Sequence, residues 1–329
     1  MRNAVIQSTG SYAPNQILAN TYFDQLLGED VSTWLETKMN IQERHWCNEN
    51  ESTADLCVEA AKKALNNAFL EASDLDLIIV GTDTPEHISP STASAVQYRL
   101  GATNAGALDL NVACSSFVVG SEMASRYIRS GDDYSTILVI GAYAMSKYLN
   151  KNDKKTATLF ADGAGAAIFT ASEKGNRGFL GAKNKVEGQY HEWMGIYAGG
   201  THCPISSQAL ADGDHYFQFI KKFPDNKNAE TWTIMIEELC LQLSVKPTDI
   251  DHYFMTQINV NSIYETMDNL HVSRGKAHTI MDKYAYTGAA CIPMAIDDAV
   301  QSGILKRDEL ILMITSGGGL SFAATAFRF

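Results

Sequence analysis

The chain has 329 residues, of which 45% are hydrophobic and 19% charged, and its formal net charge at pH 7 is −12. This composition is typical of a globular protein, and the length exceeds the usual size of one hydrophobic core, so two domains or halves are expected. The acidic balance argues against nucleic acid or an anionic membrane as a partner.

The start of the chain predicts a β-strand over residues 4–10 and not a signal peptide. The sequence contains no run of eighteen apolar residues, so no transmembrane helix is predicted. The six cysteines show neither the paired spacing of metal ligands nor a disulfide framework, which is typical of a reducing compartment. We therefore expect a cytoplasmic protein without a metal or another cofactor.

The first half of the chain contains two predicted helix–strand pairs. Helical spacing of apolar residues over 54–69 precedes a buried strand over 74–80. An amphipathic stretch over 114–129 precedes a second strand over 136–141. Gly131 follows this second helix and predicts a left-handed C-cap.

The second half repeats this order of elements. A helix over 229–243 precedes a strand over 248–255, and a helix over 289–301 precedes a strand over 310–315, with Gly303 as the predicted C-cap. Alternating strands and helices imply parallel βαβ units, and their duplication implies two stacked layers of sheet and helix.

Between the halves, residues 173–228 are rich in glycine and contain His191, His202 and His215. A long loop in a compact chain is usually a lid or a binding element, but a solvated connector has the same pattern. We therefore expect an N-terminal half over 1–172, a connecting segment over 173–228 and a C-terminal half over 229–329.

Cys114 is a candidate nucleophile. It lies between an apolar run over 108–112 and the predicted helix over 114–129. Unpaired backbone N–H groups at a helix N-terminus favour a thiolate, so the pKa of Cys114 is expected below the ~8.5 of a free cysteine. The alternative is a buried cysteine that only packs, as most do.

Three segments in this order resemble the thiolase superfamily, and most closely 3-oxoacyl-acyl-carrier-protein synthase III: residues 111–117, 160–166 and 316–329. The resemblance covers essentially the whole chain. It implies a five-layered αβαβα fold and an acyltransferase that forms an acyl thioester on Cys114. It also implies an oxyanion hole made by the backbone N–H groups of Cys114 and Gly318.

The chain departs from the family at two catalytic positions. The family carries a histidine that opens a His-Gln-Ala-Asn motif, where this chain has Thr256, Gln257, Ile258 and Asn259. The family also carries an asparagine at the position of Tyr286. Thr256 and Tyr286 keep hydroxyl donors that could stabilise developing charge, but neither replaces a base near neutral pH.

Other side chains are candidates for the missing base or for substrate contacts. Ser89 stands where some relatives place a bulky aromatic that limits the acyl tunnel, so a longer acyl group is allowed. Gln257 and Asn259 join Ser89, His87 and Glu86 as expected substrate-binding residues. The distance between a side chain and the thiol decides which group can act as the base. The candidates are Glu86, His87, His202, His215, His252 and His278.

Three functions remain open. The first is an acyltransferase that passes an acyl group from coenzyme A or acyl-carrier protein to an acceptor in specialised lipid or polyketide-type metabolism. The second is a decarboxylative condensing enzyme that uses Thr256 and Tyr286 as donors. The third is a catalytically weak structural partner of an active homologue. The loop 83–90 and residues 108–113 resemble the family's dimer contacts, so we expect a homodimer, or a heterodimer with a homologue.

Overall fold

The computed structural model describes residues 2–173 and 175–329 and contains two large β-sheets surrounded by helices. The two-stranded pairings β2–β3 and β9–β10 add small sheets at the periphery. The strands are β1 (Asn3–Tyr12), β2 (Gln16–Ala19), β3 (Glu43–Trp46), β4 (Leu77–Gly81), β5 (Gly106–Leu110), β6 (Thr136–Ala144), β7 (Asp162–Ser172), β8 (Gly178–Val186), β9 (Met194–Gly195), β10 (Gln218–Phe219), β11 (His252–Met255), β12 (Leu310–Gly317) and β13 (Ser321–Arg328).

The α-helices lie between these strands along the chain, singly or in groups. Several begin at a side-chain cap, as in the reciprocal bonds between Ser52 and Asp55 at the start of α3. The helices are α1 (Asn20–Leu27), α2 (Ser32–Trp34), α3 (Thr53–Ala68), α4 (Thr92–Leu100), α5 (Ser116–Ser130), α6 (Lys154–Ala157), α7 (Ser207–Asp212), α8 (Lys227–Leu243), α9 (Val260–Asn269), α10 (Met281–Tyr284) and α11 (Cys291–Gln301).

Both large sheets are mixed. The first has the order β1-β7-β6-β4-β5, in which β4 is parallel to β5 and β6 while the other pairs are antiparallel. The second has the order β11-β12-β13-β8, and only β11 and β12 are parallel. The expected parallel units are therefore present, but antiparallel strands extend each sheet.

The helices form three layers around the sheets. Helices α5 and α11 contact strands of both sheets and lie between them. Helix α3 packs on the outer face of the first sheet, and α8 packs on the outer face of the second. The result is the five-layered αβαβα arrangement that the sequence predicted, with one hydrophobic cluster in the centre and one under each outer helix layer.

Two details differ from the sequence predictions. Gly303 has the left-handed φ of +71°, as expected, but Gly131 has φ 176°, which is extended backbone, so the predicted C-cap at Gly131 is wrong. Part of the irregular connecting segment forms β8, because its backbone pairs along the full length of β13.

Across the described residues no helix is both long and apolar enough to cross a membrane. The division into three domains stays a prediction.

Candidate active site

Cys114 lies in the tight turn between β5 and α5. The preceding residue, Ala113, has a left-handed φ of +48°, a conformation that is uncommon for a residue with a side chain. Ser116 stabilises the turn, because its hydroxyl donates to the Ala113 carbonyl at 2.6 Å and accepts from Val112 N–H at 2.9 Å. The turn therefore directs Cys114 away from the helix and toward a cavity.

This cavity, which we call the thiol cavity, has a volume of about 300 Å³. Cys114 is 5% exposed, and the hydroxyl of the buried Tyr286 donates a hydrogen bond to its sulfur. Aromatic side chains of Tyr143, Phe160 and Phe217 form much of the wall. The thiol thus lies in a mostly apolar pocket with the Tyr286 hydroxyl beside it.

The prediction of a low pKa for Cys114 is wrong. Burial raises the pKa of this thiol well above its ordinary value, and the nearby Asp83 carboxylate raises it further. The Tyr286 hydrogen bond lowers it only in part. Cys114 does lie at a helix N-terminus, but removal from water outweighs the helix dipole, so the candidate nucleophile rests as a neutral thiol.

The glycine run at the end of β12 lies against the turn of Cys114. A Cβ atom on Gly317 would lie 2.9 Å from the backbone nitrogen of Cys114 and 2.9 Å from the Val112 carbonyl oxygen. A Cβ on Gly318 would make only ordinary contacts, the nearest at 3.5 Å to Met194. Gly318 lines the thiol cavity, so its backbone is placed beside Cys114, whereas Gly317 permits the close approach of the two segments.

Thr256 and Tyr286 occupy different environments. Tyr286 lines the thiol cavity, and Thr256 is absent from the described residues that line it. The Thr256 hydroxyl donates to Thr315 Oγ1 at 2.8 Å and accepts from Ser316 N–H at 3.0 Å. It therefore ties β11 to β12, and its role as a second donor stays a prediction.

The neighbouring residues of the expected substrate site also have structural bonds. Gln257 is fully buried and binds the backbone of His278 and Ile280 through both ends of its amide. Asn259 caps α9 through a bond from Asn261 N–H. Asn259 lines a second cavity beside the thiol cavity, and Gln257 lines neither of the two.

Among the described residues that line the thiol cavity there is none of the six candidate bases. Glu86 binds Arg99 at 2.7 Å and Ala54 N–H at 3.0 Å, and these contacts outweigh burial and lower its pKa. His252 and His278 contact carboxylates at 3.1 and 2.8 Å. His87 and Ser89 are exposed on the loop 83–90, and the connecting segment holds His202 exposed and His215 half-buried.

Asp83 and His191 are the aspartate and the histidine that line the thiol cavity, and neither was a predicted site residue. Asp83 lines the cavity, and the sequence predictions give it no role beyond the start of the loop 83–90. The signal was present in the sequence, since Asp83 and Cys114 follow the carboxyl ends of β4 and β5, which are adjacent and parallel. His191 lines the rim, with its side chain 70% exposed and its Nδ1 held 3.1 Å from the Gly188 carbonyl.

A second cavity, which we call the basic cavity, adjoins the first and has a volume of about 590 Å³. Met194, Ile258 and Tyr286 line both cavities and form the partition between them. The lining of the basic cavity includes one carboxylate, that of Asp225, and four lysines, namely Lys155, Lys221, Lys222 and Lys227. Lys222 pairs with Asp225 at 2.7 Å and Lys227 with Glu187 at 2.6 Å. Lys155 and Lys221, which form no ion pair in the described chain, therefore give a protein of net charge −12 a locally positive cavity next to its candidate nucleophile.

Comparisons with known proteins agree with this geometry. Residues 108–188 match the family model of 3-oxoacyl-[acyl-carrier-protein] synthase III, and residues 240–329 match the model of its C-terminal part. The β-ketoacyl-[acyl-carrier-protein] synthase III of Caldanaerobacter subterraneus is 36% identical over 99% of this chain and 97% of its own. That of Clostridioides difficile is 35% identical over 99% of this chain and 98% of its own. The chain belongs to the 3-oxoacyl-[acyl-carrier-protein] synthase III family.

Solved structures of this family have the same fold. The enzyme of Aquifex aeolicus superposes with a TM-score of 0.88 at 31% identity and covers 99% of this chain and all of its own. The enzyme of Pseudomonas aeruginosa gives a TM-score of 0.88 at 26% identity, with 99% and 98% coverage. Family membership therefore rests on sequence and on structure over almost the whole chain.

Proposed function

We propose that this protein is an acyltransferase that forms an acyl thioester on Cys114 and passes the acyl group to an acceptor. The observation that carries the proposal is the position of Cys114, whose thiol faces a cavity beside the Tyr286 hydroxyl and the Gly318 backbone. Thioester chemistry requires a nucleophile and hydrogen-bond donors for the oxyanion. We propose that the backbone N–H groups of Cys114 and Gly318 are those donors.

The basic cavity supports a coenzyme A or acyl-carrier-protein thioester as the acyl donor. Both donors are anionic, and Lys155 and Lys221 give this cavity positive charge that no carboxylate of the described chain pairs with, in contrast to the acidic balance of the whole chain. The cavity adjoins the thiol cavity across Tyr286, so a donor held by its phosphates could present its thioester to Cys114. The names of the relatives include acyl-carrier protein, and we propose that this chain also uses a thioester of acyl-carrier protein or of coenzyme A.

A decarboxylative condensation is the second candidate function. Tyr286 favours it, because a hydroxyl donor stands beside Cys114 where the family carries an asparagine. Thr256 does not favour it, since its hydroxyl is bound to Thr315 and Ser316 and lies outside the thiol cavity as described. One hydrogen-bond donor in place of two is expected to slow decarboxylation by ~10²–10³-fold. We therefore place acyl transfer first.

Intact-mass spectrometry after incubation with a panel of acyl thioesters tests this function. The acyl mass is expected on one cysteine, and peptide mapping should place it on Cys114. Cys114→Ala should abolish the adduct. Cys203→Ala is the matched control, because Cys203 is half-buried outside the thiol cavity and should leave the adduct unchanged. An adduct that persists in Cys114→Ala would overturn the assignment.

A further inference from the structure

Asp83 is a carboxylate in the wall of the thiol cavity with few partners of its own. The residue is partly accessible, but its Oδ1 atom is buried and has no hydrogen-bond partner. In the described part of the chain no lysine, arginine or histidine forms an ion pair with it. Buried polar groups in proteins are normally hydrogen-bonded, and an exception calls for an explanation.

The charge of Asp83 is unfavourable for its neighbours. It raises the pKa of Cys114, and it also raises the pKa of Tyr143 and of Tyr148, in each case after burial, which has the larger effect. A carboxylate that makes the nucleophile less reactive and has no structural bond at Oδ1 has no evident role in packing or in acylation. Its position in the cavity places it instead near any acceptor that approaches the acyl group on Cys114.

We propose that Asp83 is the proton acceptor for the second half of the reaction, in which a hydroxyl or amine group attacks the acyl thioester. This role rests on the proposed acyl transfer. It supplies the base that was lost with the family's histidine, whose position is taken by Thr256.

The proton and bond changes balance within the two half-reactions. In acylation, the Cys114 sulfur bonds to the acyl carbon, the donor's carbon–sulfur bond breaks, and the thiol proton goes to the departing donor sulfur. In transfer, the acceptor's oxygen or nitrogen bonds to the acyl carbon and gives its proton to Asp83. The Cys114 carbon–sulfur bond then breaks, and Asp83 returns the proton to the Cys114 sulfur.

The protonation state of Asp83 fits this role. Burial raises the pKa of its carboxyl to about 6, so the residue is largely ionised at neutral pH and holds a proton more readily than an exposed aspartate does. The other titratable groups that face the cavity are Cys114 before α5, Tyr143 on β6, Tyr286 before α11 and His191 of the connecting segment. His191 is the rival base, because it is the histidine that lines the cavity.

The test uses water as the acceptor, since hydrolysis of the acyl enzyme requires no knowledge of the natural acceptor. Cys114 is first loaded with an acyl group, and loss of the acyl mass is then followed from pH 5 to 9. For the unmodified protein, the rate of loss should fall below about pH 6, where Asp83 becomes protonated. Asp83→Asn should still load, but its hydrolysis should be slower by ~10²-fold or more and should lack this pH dependence.

Controls separate a proton acceptor from a structural residue. Hydroxylamine, a strong nucleophile that needs no base, should discharge Asp83→Asn and the unmodified protein at similar rates. Asp133→Asn removes an exposed carboxylate elsewhere and should behave as the unmodified protein. Asp83→Ala provides a second neutral variant, and its hydrolysis should be slowed like that of Asp83→Asn.

Equal hydrolysis rates in Asp83→Asn and the unmodified protein would overturn the role of Asp83 alone. The same conclusion would follow if His191→Gln, and not Asp83→Asn, removed the pH dependence. Slow discharge of Asp83→Asn by hydroxylamine as well as by water would assign Asp83 a structural role. An unmodified protein that accepts no acyl group from any thioester would overturn the proposed function itself.

Discussion

At the scale of single residues, Tyr286 and Cys114 form a pair that the rest of the site surrounds. The Tyr286 ring lies 5.5 Å from that of Phe160 between centroids, and its backbone N–H and carbonyl bind Leu159 and Ala161. The phenol is therefore fixed before any substrate arrives. A fixed donor beside a buried thiol stabilises its charged form without reorganisation during the reaction.

Replacement of Tyr286 by phenylalanine should make Cys114 less reactive. The Tyr286 hydrogen bond lowers the pKa of a thiol that burial and Asp83 raise, so its loss should raise that pKa further. We expect acylation of Cys114 near neutral pH to slow by about 10–10²-fold, as for the loss of one donor to a developing charge. The rate of alkylation by iodoacetamide measured against pH checks this. An unchanged pH profile in Tyr286→Phe would show that the hydroxyl does not act on the thiol.

Asp83 also makes the folded protein sensitive to pH. Burial raises the pKa of this carboxyl from 3.8 to about 6, so the folded state binds its proton more tightly than the unfolded state does. Stability then decreases as pH rises from about 4 to 6 and stays lower above that range. Asp83→Asn should therefore raise the free energy of unfolding at pH 8 by roughly 1–3 kcal/mol, at about 1.4 kcal/mol per pKa unit.

Urea unfolding at pH 8 and at pH 4 measures this difference. The gain in Asp83→Asn should be present at pH 8 and small at pH 4, where the carboxyl is protonated in both states. Asp133→Asn provides the baseline for loss of an exposed carboxylate. A destabilised Asp83→Asn at pH 8 would mean that the carboxylate makes favourable contacts in the folded state.

At the scale of elements, the carboxyl ends of parallel strands decide where the site forms. Asp83 follows β4, the turn of Cys114 follows β5, and Tyr143 lies near the end of β6. Since β4 is parallel to both neighbours, the carboxyl ends of the three strands point the same way. The three residues therefore lie close together at that end of the first sheet. The second sheet contributes the end of β12, where Gly317 permits direct contact with the turn of Cys114.

Gly317→Ala and Gly318→Ala should have opposite outcomes at this contact. A Cβ on Gly317 would meet backbone atoms of Val112 and Cys114 at 2.9 Å, so β12 and the turn must separate. We expect Gly317→Ala to reduce acylation by at least ~10²-fold through displacement of the oxyanion donors. Gly318→Ala keeps its backbone N–H and meets only ordinary contacts, so its acylation rate should stay within a few-fold of the unmodified protein. Rates from intact-mass spectrometry decide between these outcomes, and equal effects would contradict the steric argument.

At the scale of the whole molecule, the first sheet ends in an open edge. Strand β5 has β4 on one side and no strand on the other in the described chain, and Ala107 to Leu110 are only half-buried. Exposed strand edges in stable proteins are usually covered or paired. The exposed side chains of Ile88 and Tyr98 belong to the loop and helix that connect β4 to β5. This surface therefore suits a second copy of the chain.

We predict a homodimer in which β5 of one protomer lies against β5 of its partner. Sedimentation of the purified chain should give about twice the 36.0 kDa of one protomer. Leu108→Arg places a charge on the edge strand and should shift the protein toward monomer. A stable monomer that also fails to accept acyl groups would favour the structural partner of an active homologue.

The sequence alone determined the fold and the position of the candidate nucleophile, because both depend on patterns that are local in the chain. Apolar periodicity placed α3, β4, α5 and β12, and the motif around Cys114 indicated the family. The environment of Cys114 depended on tertiary structure. Burial and Asp83 reversed the expected direction of its pKa, and both effects come from elements distant in sequence. Thr256 and Tyr286 both carry a hydroxyl group, and only the tertiary structure separates their environments. Packing of β11 against β12 places the Thr256 hydroxyl on the Ser316 backbone, whereas the Tyr286 hydroxyl faces the thiol.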